Sequence, residues 1–456
     1  MTDYCYASQA KLWYGYHRDS HTSLIGSREI ASQSAYFQSD LDVEHWLQGS
    51  NDVAKYDSNA HLGLFAFPGQ SNLTGRRLPI EWCRRLRYSE HSIHRRVYTL
   101  LDAAALASTA EINLGDHGAA PDFTAISLYK IFGYPDLGAL LVRKESAFLL
   151  RQRRFFGGGT VDMVINSTTA ADDWVARKIE VSESNEDGTL PFHSIIALSS
   201  AIAVHGQLYG SMANVSAHTG RLTQYLYERM KNLRHGNGLG LCTIYSGGKA
   251  AYGDSKRQGA VIAFNLTDHN GYWIRKSDVE ALAIANNIQL RTGGVCNPGG
   301  IANALDLSAG EMKANYAEGL RCGNNIDILN GKPTGVVRVS LGAMTTIDDC
   351  DALLAFLNIF VHKAPEVRPY GMMAHRARFL SPGEDGSTSE SARASFDPAC
   401  EEKIPWLCPV ATCRRLLETQ DTAIAHFHSH RRRIAGRKAR FTAFWRGYRP
   451  TICGMT

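Results

Sequence analysis

The sequence predicts an α/β fold: a mostly parallel sheet in a large domain, followed by a smaller α+β domain. Two observations carry this expectation. Short apolar runs of strand length alternate with helical patterns over most of the chain, the arrangement of parallel strands joined by crossover helices. Further along, strands and helices gather around one glycine-rich loop, and after His362 the apolar patterning gives way to polar sequence.

The elements follow in order. The runs at 62–68 (LGLFAFP), 99–106 (TLLDAAAL), 123–129 (FTAISLY) and 138–143 (GALLVR) have the length and punctuation of buried strands. Helices are predicted over 197–209 and 221–232. A strand at 260–266 (AVIAFNL), a helix near 277–285, a loop around Cys296 and a strand at 335–341 (GVVRVSL) come next. The last helix, 346–360, opens TIDDCD, with acidic residues in the first turn where the helix dipole favours them. The predicted organisation is a large domain over 1–225, a small domain over 226–362, a disordered linker over 363–400 and a basic Cys/His tail over 401–456. The linker contains SPGEDGSTSESARAS, too polar to support a core.

Composition narrows the function classes. The chain has 456 residues, 44% hydrophobic and 20% charged, enough to bury a sizeable core. Its net charge of +5 is concentrated in an Arg/Lys series between Cys413 and Arg449, so a globally basic nucleic-acid surface is not indicated. Ten scattered cysteines read as reduced thiols of a cytoplasmic protein rather than a disulfide scaffold. No apolar run reaches the roughly 18 residues needed to span a bilayer, and the first residues carry no signal-peptide pattern.

Five fragments carry chemistry. In FTAISLYKIFG, Lys130 follows an apolar strand, where burial can remove its charge and make it a Schiff-base nucleophile; an ordinary strand-end lysine is the plain alternative. Upstream, Asp102 in LLDAAAL sits among apolar residues, where a carboxylate needs a cation such as the protonated pyridine nitrogen of pyridoxal phosphate, unless it is a turn or cap residue. FFGGGTVDM offers glycine amides and the Thr160 hydroxyl to a phosphate. Arg338 interrupts the apolar strand GVVRVSL and requires an anion, a substrate carboxylate or an internal partner. Finally, QLRTGGVCNPGG presents Cys296 on a loop expected to be mobile and exposed, five positions after Arg291.

In this order, with DSHTSLIGSRE, LFAFPGQSNLTGRRLP, EDGTLPFHSIIAL, RQGAVIAFNL and VRVSLGAMTTIDD, the chain resembles the class V aminotransferase-like cysteine desulfurases and, within them, the molybdenum cofactor sulfurases. The motifs cover roughly residues 16 to 361. The resemblance implies a fold-type I pyridoxal-phosphate enzyme that forms a homodimer. By position, Lys130 matches the lysine bonded to the cofactor and Asp102 the partner of its ring nitrogen. Asn72 matches a residue beside cofactor or substrate, Ser127 a phosphate contact, Thr160 a phosphate contact across a dimer interface, and His21 the histidine stacked on the ring. Arg338 matches the residue holding the substrate carboxylate, with Arg291 near the thiol, and Cys296 matches the sulfur-accepting cysteine. The implied activity takes sulfur from L-cysteine, leaves a persulfide and alanine, and passes sulfur to molybdenum cofactor for enzymes of the xanthine dehydrogenase and aldehyde oxidase type. Against that family, the chain is expected to lack an N-terminal segment with the first helix and the Gly/Thr turn, and a C-terminal cofactor-binding domain. The rival reading is an inactive relative that keeps the fold as a binding or regulatory module.

The tail has its own pattern. Cys408, Cys413, His426 and His430 have the spacing of a C2H2 zinc site, with Leu417 and Ala423 near its apolar positions. Basic residues follow, yet a single finger lacks the tandem partners that give DNA specificity.

Overall fold

The computed structural model describes residues 11–54, 62–151, 153–248, 251–362, 406–407 and 416–417. The chain divides into two units, Met1–Arg368 and Pro369–Thr456. In the second, the described residues form one short antiparallel pair, Trp406–Leu407 with Leu416–Leu417.

The first unit holds the predicted sheet. Its six strands are β1 (Leu12–His17), β2 (Gln33–Phe37), β3 (Leu62–Pro68), β4 (Val97–Asp102), β5 (Phe123–Ser127) and β6 (Gly138–Val142), in the order β2-β1-β3-β4-β5-β6. All neighbours run parallel except β5 and β6. β1 and β3 are buried along their whole length, as central strands covered on both faces must be. One face packs Trp13, Trp46, Trp82, Phe37, Phe65 and Phe67 into an aromatic core. Gly15 is required beneath it, because a Cβ there would sit 2.4 Å from the Trp13 ring.

His94 seals the edge of that core. Its ring is 4% exposed and its Nε2 donates to the Trp46 carbonyl at 3.0 Å. Burial pushes its pKa from 6.5 down to about 4. The unfolded chain therefore takes up this proton near pH 6.5 while the folded chain holds out until about 4, so the stability His94 contributes is lost as pH falls through that window. The expected loss is roughly 3 kcal/mol. Melting curves between pH 7 and 4.5 check it: His94→Gln should flatten the fall in melting temperature.

A short antiparallel pair, β7 (Val161–Ile165) and β8 (Trp174–Arg177), follows the glycine loop. The helix Phe192–Tyr209 comes next and has no buried residue, although Phe192, Ile195, Ile196, Ile202, Val204 and Leu208 are on it. An all-round apolar helix belongs inside a core, so this face calls for cover.

The smaller sheet contains β9 (Cys242–Tyr245), β10 (Val261–Leu266), β11 (Arg291–Gly293) and, after the two-residue strands β12 (Ile328–Leu329) and β13 (Lys332–Pro333), β14 (Val336–Ser340). It runs antiparallel in the order β11-β14-β10-β9. The helix Met212–Asn232 lays Leu222, Leu226 and Met230 onto this core at helical spacing. That helix runs through residue 225. The helix Ile347–Leu357 closes the layer, started by a capping box between Thr346 and Asp349.

Among the described residues, no helix is long and apolar enough to cross a membrane.

Candidate active site

Four neighbouring strands end together. β1 leads into His21, β3 into Gln70 and Asn72, β4 ends on Asp102, and β5 ends on Ser127 before the helix Leu128–Phe132 that carries Lys130. All four are parallel, so their carboxyl ends share one edge of the sheet, where open α/β sheets place their ligands. A cavity of about 680 Å³ opens there, lined by Gln70, Asn72, Lys130, His205, Arg338 and Thr345 among others.

Of the predicted residues, Asn72, Lys130 and Arg338 line this cavity. Lys130 is exposed rather than buried. Asp102 is half-buried, and one of its oxygens accepts the Ala104 N–H at 3.0 Å. His21 caps the short helix Thr22–Ile25 by accepting the Ser23 N–H at 3.2 Å. Its basicity is depressed by burial, raised by Asp102 and lowered by Lys130 and Arg291, which places all four groups in one electrostatic neighbourhood. Ser127 sits opposite Gly138 in the sheet and makes no capping bond to the helix it precedes.

Thr160 lies elsewhere. It is fully buried and its hydroxyl donates to the Gly157 carbonyl at 2.8 Å. The Gly157 N–H is given to the Asp187 carboxylate at 2.8 Å and the Gly159 N–H to the Asp187 carbonyl at 2.9 Å. Within one chain the glycine loop is thus closed on Asp187 and does not line the cavity.

The small sheet contributes the arginines. Arg291 and Arg338 are directly opposite each other in the β11–β14 register. Like charges facing across a strand pair are unfavourable unless an anion sits between them. Arg338 donates from Nη1 to the Asn72 carbonyl at 2.7 Å, while its Nε is buried without a hydrogen-bond partner. Burial and Arg291 both lower its basicity, and Cys296 acts in the opposite sense. An unsatisfied buried guanidinium N–H beside a second arginine is a site waiting for an anionic oxygen.

The cysteine loop departs from expectation. The sequence suggested a mobile, exposed support, yet Val295 is 5% exposed, Cys296 is half-buried and Asn297 is fully buried. Asn72 Nδ2 donates to the Val295 carbonyl at 2.7 Å, and the Thr22 N–H donates to the Cys296 carbonyl at 2.9 Å. Val295 and Cys296 both take left-handed backbone conformations, φ +44° and +55°. Such conformations cost about 1–3 kcal/mol each in non-glycine residues and persist only when the surroundings enforce them. Asn297, which the sequence reading passed over, follows these two residues directly and hydrogen-bonds Asn72, the residue that holds the Val295 carbonyl. Its signal was present: Asn followed by Pro at the first helical position is a helix start, here of Pro298–Ala304.

The aminotransferase class-V family model matches residues 44–353. The chain belongs to the class-V aminotransferase family. Within that family it is 49% identical over 355 residues to a molybdenum cofactor sulfurase of Aspergillus clavatus, covering 77% of this chain and 41% of that protein. A molybdenum cofactor sulfurase of Aspergillus terreus is 50% identical over 359 residues, 78% of this chain and 42% of its own. The chain therefore spans about two fifths of the length of the curated relatives it matches. Among solved structures, a cysteine desulfurase from Thermococcus onnurineus NA1 is similar with TM-score 0.54 at 17% identity, covering 79% of this chain and 76% of that one. The cysteine desulfurase CsdA from Escherichia coli gives TM-score 0.54 at 16% identity, over 78% and 73%. At these identities the likeness is one of fold. The family match ends before Cys408, Cys413, His426 and His430, and all four lie outside the described residues.

Proposed function

We propose that the chain carries the cysteine desulfurase part of a molybdenum cofactor sulfurase, loading sulfur from L-cysteine onto Cys296. The observation that carries the reading is Arg338: a half-buried guanidinium with its Nε buried and unpartnered, opposite Arg291 in the sheet, lining the cavity of Lys130 and electrostatically influenced by Cys296. An amino acid presents a carboxylate to the arginines, an α-amine toward Lys130 and a side-chain sulfur to the thiol. The near-half identity to molybdenum cofactor sulfurases supports the same reading.

The residues present fit pyridoxal phosphate, since a lysine and an anion-seeking arginine line a cavity of about 680 Å³ at the strand ends, and the Asp102 carboxylate ends the neighbouring strand β4. Lys130 would bond it, Asp102 would face its ring nitrogen, His21 and Asn72 would lie beside it, and Ser127 would meet its phosphate. Thr160 would come from a second copy. When bound, the cofactor supplies an electron sink for charge developing at the substrate α-carbon. The chain's own residues then divide the work. Arg338, with Arg291, fixes the carboxylate and so the direction of the side chain. The Lys130 amine takes and returns the α-proton. The Cys296 thiolate attacks the substrate sulfur; the carbon–sulfur bond breaks with its electron pair left on carbon, which is protonated to alanine. Cys296 is left as a persulfide, and molybdenum cofactor is the proposed acceptor.

A homodimer follows from the same reading, and the uncovered helix Phe192–Tyr209 supports it. Arg338→Ala tests the function. It should lower kcat/KM for L-cysteine about 100-fold, roughly 3 kcal/mol, mainly through KM. Unchanged KM in a folded variant would remove the carboxylate from Arg338.

A further inference from the structure

We infer that Asn297 is a positioning residue for the sulfur-accepting thiol, and that Cys296 works from a fixed perch rather than a swinging loop. The inference rests on the proposed role of Cys296 and goes beyond it to the neighbour that sets the thiol's geometry.

Every polar atom of the Asn297 side chain is committed. Nδ2 donates to the Asp19 carbonyl at 3.1 Å and to Asn72 Oδ1 at 3.0 Å, while Oδ1 accepts the Gly300 N–H at 2.8 Å. The residue is fully buried. Its bond to Asn72 is the centre of a chain, because Asn72 in turn donates from Nδ2 to the Val295 carbonyl and accepts Arg338 Nη1 on its own carbonyl, both at 2.7 Å. One amide therefore ties together the turn before His21, the loop tip at Val295–Cys296 and the arginine proposed to hold the substrate. The left-handed φ values of Val295 and Cys296 show what this tie holds in place, since neither residue adopts such a backbone without constraint.

Asn297 also caps the helix Pro298–Ala304, a purely structural duty. The two duties use different atoms: Oδ1 caps, and Nδ2 positions. Asn297→Ser separates them, because serine caps a helix as well as asparagine but brings no amide donors to Asp19 and Asn72. Asn297→Asp keeps the shape and turns both donor contacts into oxygen facing oxygen.

The test compares wild type, Asn297→Ser and Asn297→Asp in the whole chain by three measurements: melting temperature, alkylation rate of Cys296 by iodoacetamide, and kcat with KM for L-cysteine. The Ser variant should melt near the wild-type temperature, change its Cys296 alkylation rate severalfold, and lose about 100-fold in kcat with KM nearly unchanged. The Asp variant should show the same pattern if it folds. A Ser variant that is alkylated and turns over at wild-type rates reduces Asn297 to a helix cap and overturns the inference. So does a loss carried by KM alone. If the wild-type chain releases no alanine from L-cysteine, the proposed function fails, while the alkylation comparison still decides the role of Asn297.

Discussion

Lys130→Ala should abolish the release of alanine from L-cysteine and, with it, the visible absorbance of a Schiff base in protein supplied with pyridoxal phosphate. Lys130 is proposed for two tasks, covalent attachment of the cofactor and transfer of the α-proton, and no neighbouring amine replaces it on the short helix Leu128–Phe132. General acid–base transfer alone contributes about 10²–10⁴-fold, and losing the attachment adds to that, so a fall of about 10⁴ or more is expected. The fold should not suffer. Lys130 is exposed, its helix has no buried residue, and alanine favours helix. Alanine assay, absorbance and a melting curve on one preparation check all three statements. A variant that still makes alanine at the wild-type rate would remove Lys130 from the chemistry.

Cys296→Ser should eliminate sulfur loading while leaving cofactor binding intact. A serine hydroxyl is far less nucleophilic than a thiolate at neutral pH, and without an adjacent base it cannot attack the substrate sulfur. The replacement preserves size and the backbone bond from the Thr22 N–H, so the loop should keep its shape. Mass spectrometry of alkylated protein after incubation with L-cysteine should show a persulfide on Cys296 in wild type and none at this position in the variant. Three of the four other described cysteines, Cys83, Cys242 and Cys350, test specificity. Burial raises Cys83 and Cys242 to about 12 and Cys350 to about 11, which leaves them as thiols at neutral pH. A persulfide appearing on those instead would move the sulfur acceptor elsewhere.

Much of the fold was legible because buried strands and amphipathic helices write their periods into the sequence. LGLFAFP is β3 residue for residue, and the predicted strands at 123–129 and 138–143 appear as Phe123–Ser127 and Gly138–Val142. β1 and β2 were passed over. LWYGYH shows no apolar–polar alternation to mark it as a strand, although Asp19 and Ser20 punctuate its end. The helix Phe192–Tyr209 was read short, its first turn beginning after Pro191 without a side-chain cap. At the site, charged residues in apolar runs pointed to Asp102, Lys130 and Arg338, because a charge there demands a partner. Asn72, Ser127 and His21 came only through resemblance. Asn297 was missed since its importance lies in bonds to residues 225 and 278 positions away. The exposure expected of the Cys296 loop failed for a related reason. Glycine content gives the freedom of an isolated segment, whereas hydrogen bonds from distant asparagines decide what freedom remains.

The opposed arginines of β11 and β14 have a consequence for selectivity. A guanidinium pair held at fixed register repels itself, and the repulsion is relieved by whichever small anion arrives first. On the proposed reading, the site sorts visitors by sign of charge before it can sort them by side chain. A cation or a neutral thiol would gain nothing by entering, whereas a free amino acid would be drawn in by its carboxylate and only then tested for sulfur. Abundant inorganic anions pass the same first gate, so the working affinity for the amino acid is set in competition with the salts around it.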